Sequence, residues 1–120
     1  MNTKQREFFK ALKDIKDANV EISASKIHQS SPKKDADELD EAYKTLKSKL
    51  NTDEEIRAYD KVQNEIIEDV ICDIMVMIDD YGALKYPVDL IEKESNKSLK
   101  NEIELHDSFM NYLYEVEDNQ

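Results

Sequence analysis

Apolar side chains recur at helical spacing over most of this chain, and their rhythm predicts an all-α fold. The first predicted helix covers residues 3–18, in which Phe8, Leu12 and Ile15 repeat at intervals of four and three residues. Residues 19–31 lose this rhythm, and we expect them to be mostly loop. One glycine and two prolines in 120 residues leave little material for hairpin turns, which argues against a many-stranded sheet.

Two helix starts follow the first helix. Ser31-Pro32 predicts the start of the second helix, because serine caps exposed N–H groups and proline suits the first helical position. This helix is expected to run to about residue 50. Thr52 with Glu55 three residues later is a capping-box pattern, which predicts the start of a third helix.

The third predicted helix, over about residues 53–80, is the longest, and one apolar stripe on it is expected to face the core. Its last third is apolar nearly all round, which is typical of a helix buried on several sides. Gly82, the only glycine, predicts a left-handed cap at its end. Asp73 projects onto the apolar side, so we expect it to need a hydrogen-bonding partner, a metal or a proton. The stripe consists of Ile56, Tyr59, Val62, Ile66, Val70, Ile74 and Met77.

The remainder of the chain predicts one ambiguous region and a last helix. Residues 87–91 fit either a short helix or a strand, and residues 92–97 fit a turn or loop. The last helix, about 101–117, is expected to turn five apolar residues inward, namely Leu105, Phe109, Tyr112, Leu113 and Val116. The economical fold is a single domain over residues 1–120, a small four- to five-helix bundle with one irregular region at residues 83–100.

The charge along the chain is strongly one-sided. Residues 1–50 carry 11 Lys or Arg and 9 Asp or Glu, a net of +2, whereas residues 51–120 carry 6 and 19, a net of −13. Such a surface repels nucleic-acid phosphates and anionic lipid, and it speeds encounter with basic proteins. We therefore expect a basic protein as the partner, and neither nucleic acid nor a membrane.

The expected partner surface lies on the third and last helices. At 100° per residue, Glu54, Glu65, Glu68 and Asp79 fall within roughly 60° of one another, with Asp69 at their edge. Like charges three or four residues apart cost stability, which a cationic partner would offset; the open alternative is an ordinary solvated face. Aromatic side chains on the last helix can supply anchors or core packing. The residues expected to contact a partner are Glu65, Glu68, Asp69, Asp79, Asp80, Tyr112 and Tyr114.

Cysteine and histidine give little support for metal or catalytic chemistry. Cys72 is the only cysteine, which excludes an intramolecular disulfide and a thiolate zinc cluster. His28 and His106 belong to no HxxxH or HxH pair, and we expect structural or surface roles for both. The amino terminus shows no secretory apolar segment, and the longest apolar run, residues 74–78, is too short to span a bilayer. These features predict a cytoplasmic protein without a cofactor.

Two segments carry a family resemblance. DADELDEA (35–42) and NEIIEDVICDIMVMIDDYG (64–82) resemble the paired acidic helices of MazG-type all-α nucleoside triphosphate pyrophosphohydrolases. That family holds magnesium with an EExxE and an ExxD motif and uses it to activate water against a nucleotide phosphate. The resemblance implies Mg²⁺ as cofactor, with Glu38, Glu41 and Asp73 as its ligands. Asp37 stands in place of the first glutamate, and Val70 stands where the glutamate before Asp73 is expected.

The charge, the small size and the lack of an intact catalytic motif lead to one main hypothesis. The chain is expected to be an acidic binding protein that neutralises a more basic partner. The type would be an immunity protein or antitoxin for a nuclease-like toxin, or a phage-encoded inhibitor of a nucleic-acid enzyme. Acidic faces would steer the encounter, and a few buried side chains would hold the complex. The pyrophosphohydrolase is the alternative, and a structural scaffold subunit stays open as a third possibility.

Overall fold

The computed structural model of this protein describes residues 1–28 and 37–117. The fold is mainly α-helical with four helices, as predicted, and a two-stranded hairpin occupies the region that the sequence left ambiguous. Among the helices of the described residues, none combines the length and hydrophobicity that crossing a membrane requires. In chain order the elements are α1 Thr3–His28, α2 Glu38–Lys49, α3 Asp53–Ile78, β1 Ile91–Glu92, β2 Lys97–Ser98 and α4 Leu105–Glu117.

The contacts group the chain into two compact units. The first, here called the α4 unit, joins Met1–Ile15 to Glu68–Gln120, and the second, the α2 unit, is Lys16–Ile67. In the α4 unit, the ring of Phe9 packs against those of Phe109 and Tyr112, with centroids 5.9 Å and 6.2 Å apart. The other buried apolar side chains of this unit are Ile71, Met75, Leu105 and Leu113. The α2 unit buries Ile27 and the side chain of Lys16.

Helix α1 is ten residues longer than predicted, so the expectation of loop is wrong for residues 19–28. Polar residues on the inward side explain the error, because they interrupt the apolar rhythm. Lys16 donates from Nζ to Asn64 Oδ1 at 3.1 Å, and the hydroxyl of Ser23 lies 2.8 Å from that of Tyr59. Ile15, a member of the apolar repeat that predicted this helix, is exposed. One row of buried or half-buried positions on α1 recurs every three or four residues, at Gln5, Phe9, Leu12, Lys16, Val20, Ser23 and Ile27.

Local side-chain caps begin α2 and α3. Asp37 caps α2, since its Oδ1 accepts from Asp40 N at 2.9 Å while Asp40 Oδ2 accepts from Asp37 N at 3.2 Å. The predicted start at Ser31-Pro32 lies outside the described residues. The capping box predicted for α3 is confirmed, because Glu55 N donates to Thr52 Oγ1 at 3.1 Å and Thr52 N donates to Glu55 Oε1 at 3.0 Å.

The end of α3 differs from the prediction in which residue takes the left-handed conformation. Asp80 does so, with φ 71°, whereas Gly82 has no positive φ. Asp80 N donates to Met77 O at 3.2 Å and Tyr81 N to Val76 O at 3.1 Å, the paired hydrogen bonds of a Schellman cap. Gly82 is needed for a different reason: a Cβ there would lie 2.7 Å from the Cα of Met77.

After α3 the chain forms a short antiparallel hairpin. Ile91 of β1 pairs with Ser98 of β2. Within the turn, the Glu92 carboxylate accepts hydrogen bonds from the hydroxyl and the N–H of Ser95, the latter at 2.6 Å. These bonds favour the ionised form and lower the pKa of Glu92 to about 2. The turn closes through Asn96 in the left-handed conformation, with φ 58°.

Lys100 ties the end of α3 to the segment before the hairpin. Its Nζ donates to Ile78 O at 2.7 Å and to Val88 O at 3.1 Å, and lies 3.4 Å from Asp80 Oδ2. A cation at this position suits the negative end of the α3 dipole and satisfies a terminal carbonyl.

Helix α4 confirms the predicted inward face. Leu105, Phe109, Tyr112 and Leu113 are buried, and Val116 is half-buried. The helix begins at Leu105, four residues later than predicted. The residue before it, Glu104, is not a usual capping residue, so the first turn of α4 needs acceptors from elsewhere in the chain.

Candidate functional site

Of the seven residues in the apolar stripe predicted to face the core on α3, four are exposed, and Ile56, Tyr59 and Met77 are half-buried. Val62, Ile66, Val70 and Ile74 each retain 45–53% of their accessible surface. The buried apolar side chains of α3 are instead Ile71 and Met75, which lie about 140° and 180° around the helix axis from Ile66. The last third of α3 is apolar nearly all round, so periodicity alone could not decide which side is buried.

Acidic residues lie directly beside this exposed row. Glu65, Asp69 and Asp73 are exposed, and each immediately precedes one of the apolar residues. Because residues four apart form a ridge along a helix, α3 presents an apolar ridge next to an acidic one. Asp73 was expected to lie on the core-facing side and therefore to need a hydrogen-bonding partner, a metal or a proton; the side is instead exposed, so water can solvate the carboxylate. We call this set the α3 surface: Val62, Ile66, Val70, Ile74, Glu65, Asp69 and Asp73.

Two of the residues expected to contact a partner are buried. Tyr112 is 7% exposed and packs against Phe9, and Asp79 is 8% exposed and binds the start of α4. Their assignment to an accessible surface is therefore wrong. Glu68 is half-buried. The exposed members of the predicted set are Glu65, Asp69, Asp80 and Tyr114.

Asp79 is buried because it serves as the N-terminal cap of α4. Its Oδ1 accepts from Leu105 N and its Oδ2 from His106 N, both at 2.9 Å, and its side chain is only 2% exposed. These N–H groups belong to the first turn of α4 and have no partner within the helix. Sequence reasoning missed this role because a cap is normally sought beside the helix, whereas Asp79 lies 26 residues before Leu105. The available signal was the lack of Ser, Thr, Asp or Asn at position 104.

The imidazole of His106 extends this arrangement. Its Nδ1 lies 2.6 Å from Asp79 Oδ2 and its Nε2 lies 3.4 Å from Glu104 Oε2. Glu104 Oε1 accepts from the Tyr81 hydroxyl at 2.9 Å, and this hydrogen bond to the neutral phenol raises the pKa of Tyr81. The Tyr81 ring stands nearly perpendicular to the imidazole, with centroids 5.8 Å apart.

Metal-ligating atoms also meet at the start of α4. In residues 1–28 and 37–117, one group of three such side chains has its ligand atoms within 4.8 Å of one another, namely Glu104, His106 and Asp107. Glu104 and Asp107 are exposed and His106 is half-buried. We call this set the α4 cluster. It was not anticipated, because the sequence offers His106 beside Asp107 but hides the contact with Asp79.

The magnesium ligands implied by the MazG resemblance are not part of that group. Glu38 and Glu41 are exposed on α2, and Asp73 is exposed on α3. Asp37, which would open the first motif, uses its carboxylate to cap α2. Comparisons of the chain with protein-family models, curated proteins and solved structures return no match. The resemblance therefore stays a prediction from two segments.

Proposed function

We propose that this protein is an acidic binding protein that receives a basic, amphipathic segment of another protein on the α3 surface. The observation that carries the proposal is the exposed apolar ridge of α3 beside a ridge of carboxylates. The proposed partner is a nucleic-acid-binding protein such as a nuclease toxin, because proteins of this class present basic surfaces to phosphates. The chain would then act as an immunity protein, antitoxin or phage-encoded inhibitor.

The apolar ridge supplies the affinity in this proposal. Complete burial of a Val or Ile side chain contributes about 1.5–3 kcal/mol, and roughly half of that surface is still accessible on the α3 surface. Single exposed apolar side chains are ordinary, but a contiguous row of four is typical of an interaction site. A partner helix could pack its own ridge along this row.

The acidic ridge decides which occupant fits. Residues 62–78 contain Glu65, Glu68, Asp69 and Asp73 but no Lys or Arg. A second copy of this stretch would bring further carboxylates and no Lys or Arg, whereas a basic segment would pair with the exposed carboxylates of Glu65, Asp69 and Asp73. Complementary charge of this kind raises the association rate and suppresses wrong partners.

A synthetic amphipathic peptide of Lys and Leu provides a defined probe for this surface. Titrated into ¹⁵N-labelled protein, it should shift the amide signals of residues 62–74, and the affinity should fall as salt is added. Ile66→Ser and Asp69→Lys should weaken binding, while Leu39→Ser and Glu54→Lys, at exposed positions outside the α3 surface, should not. An analogue with Glu in place of Lys should not bind.

Several outcomes would contradict the proposal. One is a set of shifts outside residues 62–74; another is equal binding by Ile66→Ser and the unaltered chain. A third is a dimer, detected by light scattering, that the Ile66→Ser substitution dissociates. That result would show that a second copy of the chain occupies the α3 surface. In the native host, a photo-cross-linker at position 70 should capture a basic protein whose nucleic-acid activity the purified chain inhibits. If that activity were unaffected, the inhibitor part of the proposal would be wrong.

The alternative function, a magnesium-dependent pyrophosphohydrolase, makes a separate prediction. Purified protein with Mg²⁺ and a panel of nucleoside triphosphates would release pyrophosphate. Glu41→Ala and Asp73→Ala would abolish that release, whereas Glu54→Ala would not. No turnover across the panel would remove this alternative and leave the binding proposal unaffected.

A further inference from the structure

We propose that Glu104, His106 and Asp107 bind a divalent transition-metal cation of the zinc class, with Asp79 as the outer carboxylate that orients His106. The site lies at the start of α4 and shares no residue with the α3 surface. It therefore adds a metal-binding function to this chain, independent of the binding function proposed above.

Asp79 prepares the imidazole for a metal. Its carboxylate is held in place by the N–H groups of Leu105 and His106, and its Oδ2 lies 2.6 Å from His106 Nδ1. In a neutral ring this contact places the proton on Nδ1 and leaves the lone pair on Nε2. Histidines that bind metals almost always donate their other ring N–H to a carboxylate, carbonyl or water in this way.

Glu104 offers the second ligand at a suitable separation. His106 Nε2 and Glu104 Oε2 lie 3.4 Å apart. Two ligands on a tetrahedral ion with bonds near 2.1 Å are about 3.4 Å apart. With the ring neutral, both atoms are acceptors, so a cation between them satisfies both. The Tyr81 hydroxyl occupies Glu104 Oε1 and leaves Oε2 for this role.

Asp107 completes a three-ligand set, because the ligand atoms of Glu104, His106 and Asp107 all lie within 4.8 Å of one another. One imidazole and two carboxylates favour zinc or a similar transition metal over Mg²⁺ and Ca²⁺, which prefer oxygen ligands alone. The helix N-terminus opposes a cation with roughly half a positive charge. The negative charge of three carboxylates, including that of Asp79, exceeds this partial positive charge of the helix end.

The two histidines of the chain make the site easy to observe by NMR. Without metal, long-range ¹H–¹⁵N spectra of the neutral His106 ring should show its proton on Nδ1. Added Zn²⁺ should change the His106 ring signals saturably at one equivalent and leave those of His28 unchanged. Co²⁺ should give visible absorption bands, which Zn²⁺ then removes.

Matched variants separate this site from general attraction of cations to an acidic protein. Glu104→Gln and Asp107→Asn should each raise the Zn²⁺ dissociation constant by more than about tenfold, since even outer-shell partners typically contribute 10- to 100-fold. Glu102→Gln and His28→Ala should bind as the unaltered chain does. Glu104 and Asp107 are exposed, so Glu104→Gln and Asp107→Asn should fold even if His106→Ala does not.

Three results would overturn the proposal. The first is no change at His106 up to millimolar Zn²⁺. The second is equal change at His28 and His106, which would show adventitious surface binding only. The third is unaltered Zn²⁺ affinity in both Glu104→Gln and Asp107→Asn.

Discussion

Helices α3 and α4 each carry a predicted apolar stripe, but only on α4 is that stripe the buried face. In α4 the predicted inward residues are the buried ones, and Phe109 is fully buried. In α3 the predicted stripe is half exposed, and Ile71 and Met75 form the buried side. The difference teaches that a single apolar stripe, as on α4, identifies the buried face of a helix. An apolar surface nearly all round, as on the last third of α3, does not identify it.

The two helices also begin differently. Thr52 and Glu55 cap α3 from within its own first turn, in an exposed capping box. Asp79 caps α4 from a distant part of the chain and is buried there. The start of α3 is therefore a local property of the sequence, while the start of α4 depends on tertiary structure.

The largest expected effect tests the contrast in burial. Phe109→Ala should lower the free energy of unfolding by about 3–5 kcal/mol, because it removes a large buried side chain and leaves a cavity. Ile66→Ala, on the exposed side of α3, should cost less than about 1 kcal/mol. Urea unfolding followed by circular dichroism measures both. Equal costs would show that the α3 surface is buried in the free protein.

The next effect tests the distant cap. Asp79→Ala should lower the free energy of unfolding by about 3 kcal/mol, because two N–H groups of α4 and the imidazole of His106 lose their acceptor. Asp69→Ala, at an exposed acid of α3, should change the free energy of unfolding by less than about 0.5 kcal/mol. The same unfolding measurement applies. A cost at Asp79 no greater than at Asp69 would refute its capping role.

A smaller effect is expected at the local cap. Thr52→Ala should cost about 1 kcal/mol, as is typical for an N-cap residue. Thr45→Ala, at an exposed position inside α2, should change stability by less than about 0.5 kcal/mol. In thermal unfolding, the midpoint temperature of Thr52→Ala should fall by several degrees more than that of Thr45→Ala. Indistinguishable midpoints would argue that the box adds nothing.

The smallest effect is a dependence on pH at the same box. Hydrogen bonds from Thr52 and Asn51 lower the pKa of Glu55 below its ordinary value of 4.5. The stabilisation is therefore fully present above about pH 4.5 and is lost as the pH falls below it. Glu55→Gln should reduce stability at pH 6 and make less difference at pH 3. Glu54→Gln controls for the change in net charge, and a pH-independent effect of Glu55→Gln would contradict this account.

Much of the fold could be predicted because its signals are local. The capping box of Thr52 and Glu55 and the inward face of α4 depend on residues within a few positions of one another. The extension of α1 could not be seen, since Lys16 and Ser23 look like surface residues until Asn64 and Tyr59 are placed beside them.

The candidate sites were less predictable than the fold. The acids Glu65 and Asp69 were expected to be exposed and are. The exposed apolar ridge was not foreseen, because the sequence could not fix the rotation of α3. The α4 cluster was hidden for a different reason: its orienting residue, Asp79, comes from another helix end.

The remote acceptor at Asp79 has a consequence for the order in which this polypeptide acquires structure. A 13-residue segment such as 105–117 is too short to be a stable helix alone in water. During synthesis Asp79 leaves the ribosome well before residue 105. The capping carboxylate is therefore already present when residues 105–117 emerge. A nascent chain truncated before α4 should leave this carboxylate without its amide donors, and completion of the last segment should consolidate both ends together.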